Sequence, residues 1–329
     1  MDLRFTLENF EHISTEWAKL QDKKQSSFIF SSPEWSKVWW EQFGSGYKLY
    51  LASIRHRENI VGIAPLITKE RTASFIGMDD VCDYLDFIVD ADKEEAFFNE
   101  LLNNLASKGF IKLILNPVRP DSSVFACLIN IARQMGLQTS LEEAGVSLEL
   151  NLPATWDEYL QSTDKKQRHE LKRKLRRLSE AGEINYRTST DANSQDIDIF
   201  LRLFKDSRQD KAAFLTSERE SFLRALAMTM AEKGFLTLNF LELDTMPVAS
   251  TLCFDYGNDI YLYNSGYDPE YRWLSAGLIS KVLCIQDSIQ RGKRRFDFLK
   301  GAEKYKYELG GHEVPLYKCS VSLTQHNIS

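Results

Sequence analysis

Apolar and polar positions along the chain predict two successive units that each mix helices with strands. In the first half, the aromatic-rich stretch 28–43 predicts a helix, and 47–56 with 60–68 predict a hairpin. In the second half, 235–243 and 248–255 predict another hairpin around a polar turn. The same type of element therefore opens a strand-rich region in each half.

Each predicted hairpin is followed by a strand, a helix, a strand, a helix and a closing strand. Hairpins combined with helical crossovers predict an α/β fold with α+β mixed sheets. The repeated order predicts two tandem domains at 1–152 and 190–329, joined by a linker helix within 153–189. The remaining elements are predicted at 84–89, 92–107, 110–115, 122–134 and 146–150, and then at 259–265, 274–290, 295–299, 302–308 and 315–323.

Composition limits the classes of function that need to be considered. A chain of 329 residues can form two hydrophobic cores, and a net charge of −6 argues against a general DNA-binding protein. The five cysteines form no CxxC pair, which argues against zinc and disulfides and favours a reducing compartment. Without a signal-like start or a membrane-length apolar run, we expect a cytoplasmic protein with no transmembrane segment and no metal.

A strongly basic helix is predicted between the two halves, at 156–181. Leu171, Leu175 and Leu178 share one helical face, and lysines and arginines occupy most of the rest. The helix is either a solvated linker or a basic wall for a phosphorylated acceptor, an acidic acyl carrier protein or tRNA. Under the second interpretation, Lys172 and Arg176 are candidate substrate-binding residues.

The turn before the predicted helix at 274–290 is a candidate anion site. Its residues are Arg272, Trp273, Leu274, Ser275, Ala276 and Gly277. Small residues at a strand-to-helix turn let backbone N–H groups approach a pyrophosphate, and the helix dipole favours negative charge there. The alternative is a helix N-cap at Ser275 with nothing bound. The equivalent turn of the first half, 90–95, carries four carboxylates that would repel such a ligand.

Several motifs in this order resemble one family of acyltransferases. Turn 272–277 is similar to the GNAT phosphate-binding turn, with Ser275 in place of its first glycine. The motifs SSPEWSKVWWEQFG, IVGIAPLI, DYLDFIV, KKQRHELKRKLRRL, YLYNSGYDPEYRWLSAGL and FDFLKGAEKYKYELG together resemble the CelD/BcsL-like GNAT-fold acetyltransferases, relatives of the Fem-type aminoacyltransferases. The resemblance runs from about Ser31 to Gly311.

This resemblance implies tandem GNAT-like domains, with an acyl-CoA donor, acetyl-CoA in the simplest case, held by the second domain. It places Tyr263, Asn264 and Ser265 where the sheet opens for the donor, with a backbone N–H as oxyanion donor. By the same similarity, Tyr305 or Tyr307 is the acid for the leaving group. Lys306 matches a lysine that supports transfer in the Fem-type enzymes.

Carboxylates of the first half are candidates for the general base. Asp79, Asp80, Asp83 and Asp86 cluster around DDVCDYLDFIVD, where a cationic amine could bind and lose its proton. Asp86 is similar in position to a substrate-cleft aspartate of the Fem-type enzymes, and Tyr84 is a candidate substrate contact. The histidines form no catalytic pattern, and no GxSxG elbow is present.

The sequence therefore leaves three functions open. The first is acyl transfer from a CoA or carrier thioester to an amine or hydroxyl of a sugar, nucleotide sugar or similar small acceptor in bacterial polysaccharide or cell-envelope biosynthesis. The second is transfer from aminoacyl-tRNA. The third is a degenerate GNAT pair that serves as a binding or scaffold protein.

Overall fold

The computed structural model describes residues 3–23, 28–77 and 81–324 and divides the chain into two compact units. The first unit comprises Met1–Val146 and Val314–Ser329, and the second comprises Ser147–Glu313. Asp79 and Asp80 of the predicted carboxylate cluster lie outside the described residues.

The first unit begins with a strand and two helices and continues as a sheet with helical connections. Its elements are β1 (Leu3–Leu7), α1 (Phe10–Lys23), α2 (Pro33–Phe43), β2 (Lys48–His56), β3 (Asn59–Lys69), β4 (Thr72–Phe75), β5 (Ile88–Val89), α3 (Glu94–Ser107), β6 (Lys112–Val118), α4 (Ile129–Gln134) and β7 (Thr139–Asn151), whose last residues enter the second unit.

The sheet of the first unit has the strand order β1-β2-β3-β4-β6, and β5 pairs with β3. All these pairs are antiparallel except β4 with β6, which is parallel. Its core is rich in aromatic side chains, because α1 and α2 bury three tryptophans, Trp17, Trp35 and Trp39, completely.

The second unit contains more helices and begins with the predicted basic helix. Its elements are α5 (Trp156–Ser162), α6 (Lys165–Ser179), β8 (Ile184–Ser189), α7 (Ser194–Ser207), α8 (Gln209–Phe214), α9 (Ser217–Glu232), β9 (Leu236–Leu243), β10 (Met246–Tyr256), β11 (Asp259–Tyr267), α10 (Ala276–Gln290), β12 (Arg295–Lys300), α11 (Lys304–Glu308) and β13 (His312–Ser322), most of which belongs to the first unit.

The sheet of the second unit opens between two of its strands. Its order is β7-β12-β11-β10-β9-β8, and β11 pairs in parallel with β12 only from Asp259 to Tyr261. Both strands continue beyond this pairing, β11 to Tyr267 and β12 to Lys300. The register of β11 with β10 also shifts between Leu262 and Asn264, which leaves Tyr263 as an extra residue in a bulge. The two strands therefore diverge at the carboxyl end of β11.

The α/β class with mixed sheets is confirmed, but two predicted elements differ from the structure. The predicted helix 28–43 is interrupted at Ser32, which adopts extended backbone before Pro33 and caps α2 through a hydrogen bond from the Trp35 N–H. The predicted strand 84–89 is reduced to Ile88–Val89. The backbone N–H of Leu85 donates instead to the Pro117 carbonyl, and that of Asp86 to the Ser31 hydroxyl.

The division of the chain also differs from the predicted bounds at two places. Val314–Ser329 belongs to the first unit because β13 pairs antiparallel with β6 there. Helix α6 belongs to the second unit, where it packs on α10 and on the 3₁₀ turn Pro269–Leu274. It is therefore a packed element of that unit and not a free linker.

Candidate functional site

The N-terminus of α10 presents unsatisfied backbone donors. The N–H groups of Leu278 and Ile279 both donate to the Ser275 carbonyl, whereas those of Ala276 and Gly277 open the helix and have no partner within it. Ser275 itself has φ 60° and ψ 32°, a left-handed conformation that glycine adopts without strain. The serine thus takes the backbone shape that the glycine of the GNAT turn would take, and its side chain makes no capping bond.

A cleft of about 380 Å³ lies against this helix terminus. It contains six residues that the sequence singled out, together with four charged residues that it did not. The first set is Ser265, Arg272, Ser275, Ala276, Gly277 and Tyr305, and the second is Arg208, Lys211, Lys281 and Glu303. Four cationic side chains face one carboxylate, so the cleft favours an anionic ligand.

Gly277 fits tightly against the wall of the cleft. A Cβ added there would lie 2.7 Å from the Tyr267 ring, closer than real Cβ contacts allow. A larger residue would therefore displace Tyr267, which itself lines the cleft. The small residue, the two free N–H groups and the surrounding cations together fit the pyrophosphate of a CoA-type donor.

Helix α7 holds β11 in place beside the cleft. A Cβ on Gly266 would lie 2.3 Å from the backbone of Leu203 and Phe204, so only glycine permits this approach of helix to strand. The neighbouring Ser265 carbonyl accepts a hydrogen bond from the Lys211 Nζ. Ser265 lines the cleft, while Tyr263 and Asn264 occupy the bulge and the residue after it, partly exposed.

Two lysines of the cleft have lowered pKa values. Burial, followed by the nearby charge of Lys211, lowers the pKa of Lys281 to about 7. Burial, followed by the charge of Arg208, lowers the pKa of Lys211 to about 8. The Lys281 Nζ donates to the Gly277 carbonyl at 2.7 Å and lies 5.0 Å from the centre of the Tyr305 ring.

The two tyrosines predicted to be the general acid, Tyr305 and Tyr307, lie in different depressions of the second unit. Tyr305 lines the cleft, and burial raises the pKa of its hydroxyl, which stays protonated at neutral pH. Tyr307 is 37% exposed, its hydroxyl bonds to the Glu313 carboxylate, and it lines a different depression. Of the two, only Tyr305 is placed to give a proton to a leaving group in this cleft.

Lys306 supports the turn that follows β12. Its side chain is 2% exposed, and its Nζ donates to the carbonyls of Leu299, Lys300 and Gly301 at 2.9, 2.7 and 3.1 Å. It also pairs with the Glu303 carboxylate at 2.9 Å. These contacts use the donors of the ammonium group, so the lysine fixes the turn and places Glu303 beside the cleft. Its predicted part in the transfer step stays a prediction.

The predicted residues of the first unit are arranged differently. Asp86 is 3% exposed and accepts hydrogen bonds from the Phe87 N–H and from the backbone and hydroxyl of Ser123. Tyr84 is fully buried against Phe28 and Phe30, under the guanidinium of Arg119. Asp83 is partly exposed. Asp86 and Tyr84 thus hold the fold together, and their catalytic and substrate roles stay predictions.

The cationic side chains of the basic helix α6 lie in two kinds of position, at the exposed surface and in the wall of a depression. Lys172 and Arg176 are exposed, and Arg176 pairs at 3.6 Å with Glu180. Lys174 and Glu170 line a second depression of about 600 Å³, with Tyr159, Leu278 and Tyr307. The substrate contacts predicted for Lys172 and Arg176 stay predictions.

The sequence analysis missed Arg208, Lys211 and Lys281. Lys281 had a recognisable signal, because it is the one charged residue in the apolar run AGLISKVLCI and stands one helical turn after Gly277. Arg208 and Lys211 had none, since they lie at the junction of α7 and α8, which only the tertiary fold brings to β11.

The comparison with protein families confirms part of the resemblance. Residues 165–307 match the family described as "Acetyltransferase (GNAT) domain". This range includes α6, the turn 272–277, Lys281 and Tyr305. No curated protein matches the chain. The narrower CelD/BcsL-like family stays a prediction.

Similar solved structures cover nearly the whole chain at low identity. FemX has a TM-score of 0.68 at 12% identity and covers 95% of this chain and 96% of its own. A tandem GNAT protein from the clavulanic acid biosynthesis pathway has a TM-score of 0.53 at 12% identity and covers 98% of this chain and 99% of its own. The C-terminal domain of a putative lysylphosphatidylglycerol synthetase from Agrobacterium fabrum has a TM-score of 0.59 at 11% identity and covers 97% of this chain and 93% of its own.

These likenesses establish a tandem GNAT fold, and the domain match supports an acyltransferase enzyme. Within the described residues, no helix is long and apolar enough to cross a membrane.

Proposed function

We propose that the protein transfers an acyl group, acetyl in the simplest case, from a CoA thioester to an amine or hydroxyl of a small acceptor. The observation that carries this proposal is the cationic cleft at the free N-terminus of α10, beside the divergence of β11 from β12. A thioester supplies an activated acyl carbon, so the protein needs only to place it, polarise it and manage two protons.

Different residues of the second unit perform these tasks. The N–H groups of Ala276 and Gly277, with Arg272 and Arg208, bind the pyrophosphate. A backbone N–H of the β11 bulge polarises the acyl carbonyl and stabilises the oxyanion. Tyr305 protonates the departing thiolate, because burial keeps its hydroxyl protonated.

We propose that the acceptor is anionic, as a sugar phosphate or nucleotide sugar would be, and that it is used in polysaccharide or cell-envelope synthesis. Exposed Lys172 and Arg176 on α6 support this, as cations placed on the same unit as the donor cleft. An acidic acyl carrier protein is the alternative partner for the same cations.

The direct experiment measures thermal stabilisation by CoA, and then thiol release from acetyl-CoA with amino sugars and their phosphates as acceptors. At 100 times its Kd, CoA should add about 2.7 kcal/mol to the stability. Stabilisation by CoA together with acceptor-dependent thiol release would support the proposal. Absence of any CoA-dependent shift at millimolar concentration would refute it.

The likeness in fold to FemX and the basic face of α6 favour one second candidate, transfer from aminoacyl-tRNA. The same assay separates the two candidates if aminoacylated tRNA replaces CoA. Stabilisation by charged tRNA that exceeds stabilisation by uncharged tRNA, with none by CoA, would decide for the second.

A further inference from the structure

Acyl transfer to an amine or hydroxyl requires a group that accepts a proton, and the donor cleft offers few such groups. Besides the tyrosines Tyr267 and Tyr305, its lining contains three side chains that can gain or lose a proton: Glu303, Lys211 and Lys281. Tyr305 is already protonated at neutral pH, because burial raises its pKa. Arg208 and Arg272 remain charged and cannot accept a proton.

Glu303 is poorly suited to act as the general base because its carboxylate already forms an ion pair within the fold. Its carboxylate pairs with the Lys306 ammonium at 2.9 Å, and Lys306 is in turn fixed by three backbone carbonyls. The Glu303 carboxylate is therefore already engaged in an ion pair that belongs to the turn after β12.

Lys281 has the opposite surroundings. Its side chain is 7% exposed, and among the described residues it forms no ion pair, although four other charged or polar groups lie near it. These are Lys211 on α8, Glu303 before α11, Cys253 on β10 and Cys284 on α10. Burial keeps the Cys253 thiol neutral, because it raises the pKa of that thiol well above its ordinary value.

The position of Lys281 is fixed as well as buried. Its Nζ donates one hydrogen to the Gly277 carbonyl at 2.7 Å, while the Tyr305 ring lies 5.0 Å away. A neutral amine held in this way keeps a lone pair that can accept a proton. The group that must give a proton to the leaving thiolate and the group that could take one from the acceptor therefore lie next to each other.

We propose that Lys281 is the general base that removes the proton from the acceptor, an inference that rests on the proposed function. The acceptor nitrogen or oxygen bonds to the acyl carbon as its proton passes to the Lys281 amine. The carbon–sulfur bond then breaks, and Tyr305 gives its proton to the sulfur. Lys281 returns its proton to the Tyr305 oxygen, directly or through water, which restores both groups.

The lowered pKa of Lys281, about 7, agrees with this geometry, because a base works best when its pKa lies near the working pH. Lys211, with a pKa of about 8, donates to the Ser265 carbonyl and helps to keep its neighbour neutral by repulsion. Lys211 therefore acts through Lys281.

The kinetic test compares Lys281→Arg with wild type, using acetyl-CoA with glucosamine as the probe acceptor and Lys205→Arg as the matched surface control. Arginine is a permanent cation, like the protonated form of the lysine, and can still donate to Gly277, but it cannot act as a base. We expect kcat to fall by about 100-fold or more, with little change in the KM for acetyl-CoA. Wild-type kcat/KM should rise with pH up to about 7 and then level, and the variant should lose this rise.

Two kinetic outcomes would overturn the inference. One is a Lys281→Arg variant that keeps most of the wild-type kcat with an unchanged pH profile. The other is a Glu303→Gln variant that loses the rise with pH while Lys281→Arg keeps it, which would make Glu303 the base.

A second measurement does not depend on turnover. The ¹³Cε chemical shift of Lys281, assigned by its absence in Lys281→Arg, should titrate near pH 7, well below the ordinary lysine value of about 10.4. Titration of Lys281 near that ordinary value would overturn the inference even if the enzyme is active. Absence of CoA binding in the same samples would refute the proposed function instead.

Discussion

The turns that open α3 and α10 follow a strand in the same order of elements, yet their chemistry is opposite. The turn before α3 carries Asp90, Asp92, Glu94 and Glu95, and the Asp90 side chain accepts from the Asp92 N–H. The turn before α10 carries small residues and two N–H groups that have no acceptor among the described residues, beside four basic side chains. The turn before α3 is capped by its own Asp90 carboxylate, whereas the N-terminus of α10 is left for an anion from outside.

The same contrast holds for the buried ionic groups of the two units. In the first unit, the Asp86 carboxylate accepts hydrogen bonds from three donors of the same unit. In the second, Lys281 is buried in the wall of a cleft and forms no ion pair with a described residue. A buried ionic group whose hydrogen bonds and charge are matched within the fold stabilises the fold, whereas a buried ionisable group without an ion pair beside a cavity is a candidate for function.

The largest expected effect on stability concerns Lys306, which supports the turn beside the donor cleft of the second unit. Lys306→Met should lower the free energy of unfolding by about 3–5 kcal/mol, because it leaves three backbone carbonyls without their donor and the half-exposed Glu303 carboxylate without its partner. The Leu299 backbone, at φ 65°, also loses a partner that holds its strained conformation.

Lys304→Met is the matched control for this change. Lys304 stands two residues earlier with an 89% exposed side chain, and its pair with Glu308 is at the surface. Urea denaturation should show little change in Lys304→Met. A similar small loss in Lys306→Met would contradict the supporting role of that lysine.

The next effect is a pH dependence of stability caused by Lys281. Because the pKa of Lys281 is about 7 in the folded protein and its ordinary value is 10.5, the unfolded chain binds more protons between these values, and stability rises with pH. Over pH 7 to 9, wild type should gain about 2–3 kcal/mol relative to Lys281→Met. Parallel stability curves for the two proteins across this range would contradict the lowered pKa.

A smaller effect is expected from Asp86 in the first unit. Asp86→Asn should cost about 1–3 kcal/mol, since the amide cannot accept from the Ser123 hydroxyl and backbone and from Phe87 as the carboxylate does. Turnover per folded molecule should stay close to wild type if the comparison between the units is right. A loss of turnover in a fully folded Asp86→Asn protein would support the catalytic role that the sequence predicts for this aspartate.

The smallest change in stability is expected on α6. Neutralising Lys172, Lys174 and Arg176 together should leave the melting temperature nearly unchanged, because these charges are at least partly exposed. The KM for a phosphorylated acceptor should rise, and the wild-type KM should depend steeply on salt. Unchanged KM values over a range of salt would identify the helix as a solvated face.

The sequence predicted the second-unit elements from β9 to β13 because their hydrophobic periods are regular and their turns contain Gly or Asp, but it gave no prediction for β8, α7, α8 and α9. It singled out Ser275, Gly277 and Tyr305 through two separate motifs, and the structure brings all three to one cleft. It could not reveal that β13 returns to the first unit or that Lys211 meets Lys281, because those contacts join residues distant in sequence. It also could not separate Asp86 from a catalytic carboxylate, because its partners Ser31 and Ser123 are far along the chain.

Calorimetric titration of CoA tests the central claim that the second unit, and not the first, holds the donor. Wild type should bind, and Gly277→Val should lose detectable binding, because the added side chain displaces Tyr267 into the cleft. Ser275→Gly should bind at least as well, since it relaxes a left-handed residue. The pair Asp92→Asn and Glu95→Gln in the first unit should bind as wild type does. Unchanged affinity in a folded Gly277→Val protein, or lost affinity in the first-unit pair, would contradict the account.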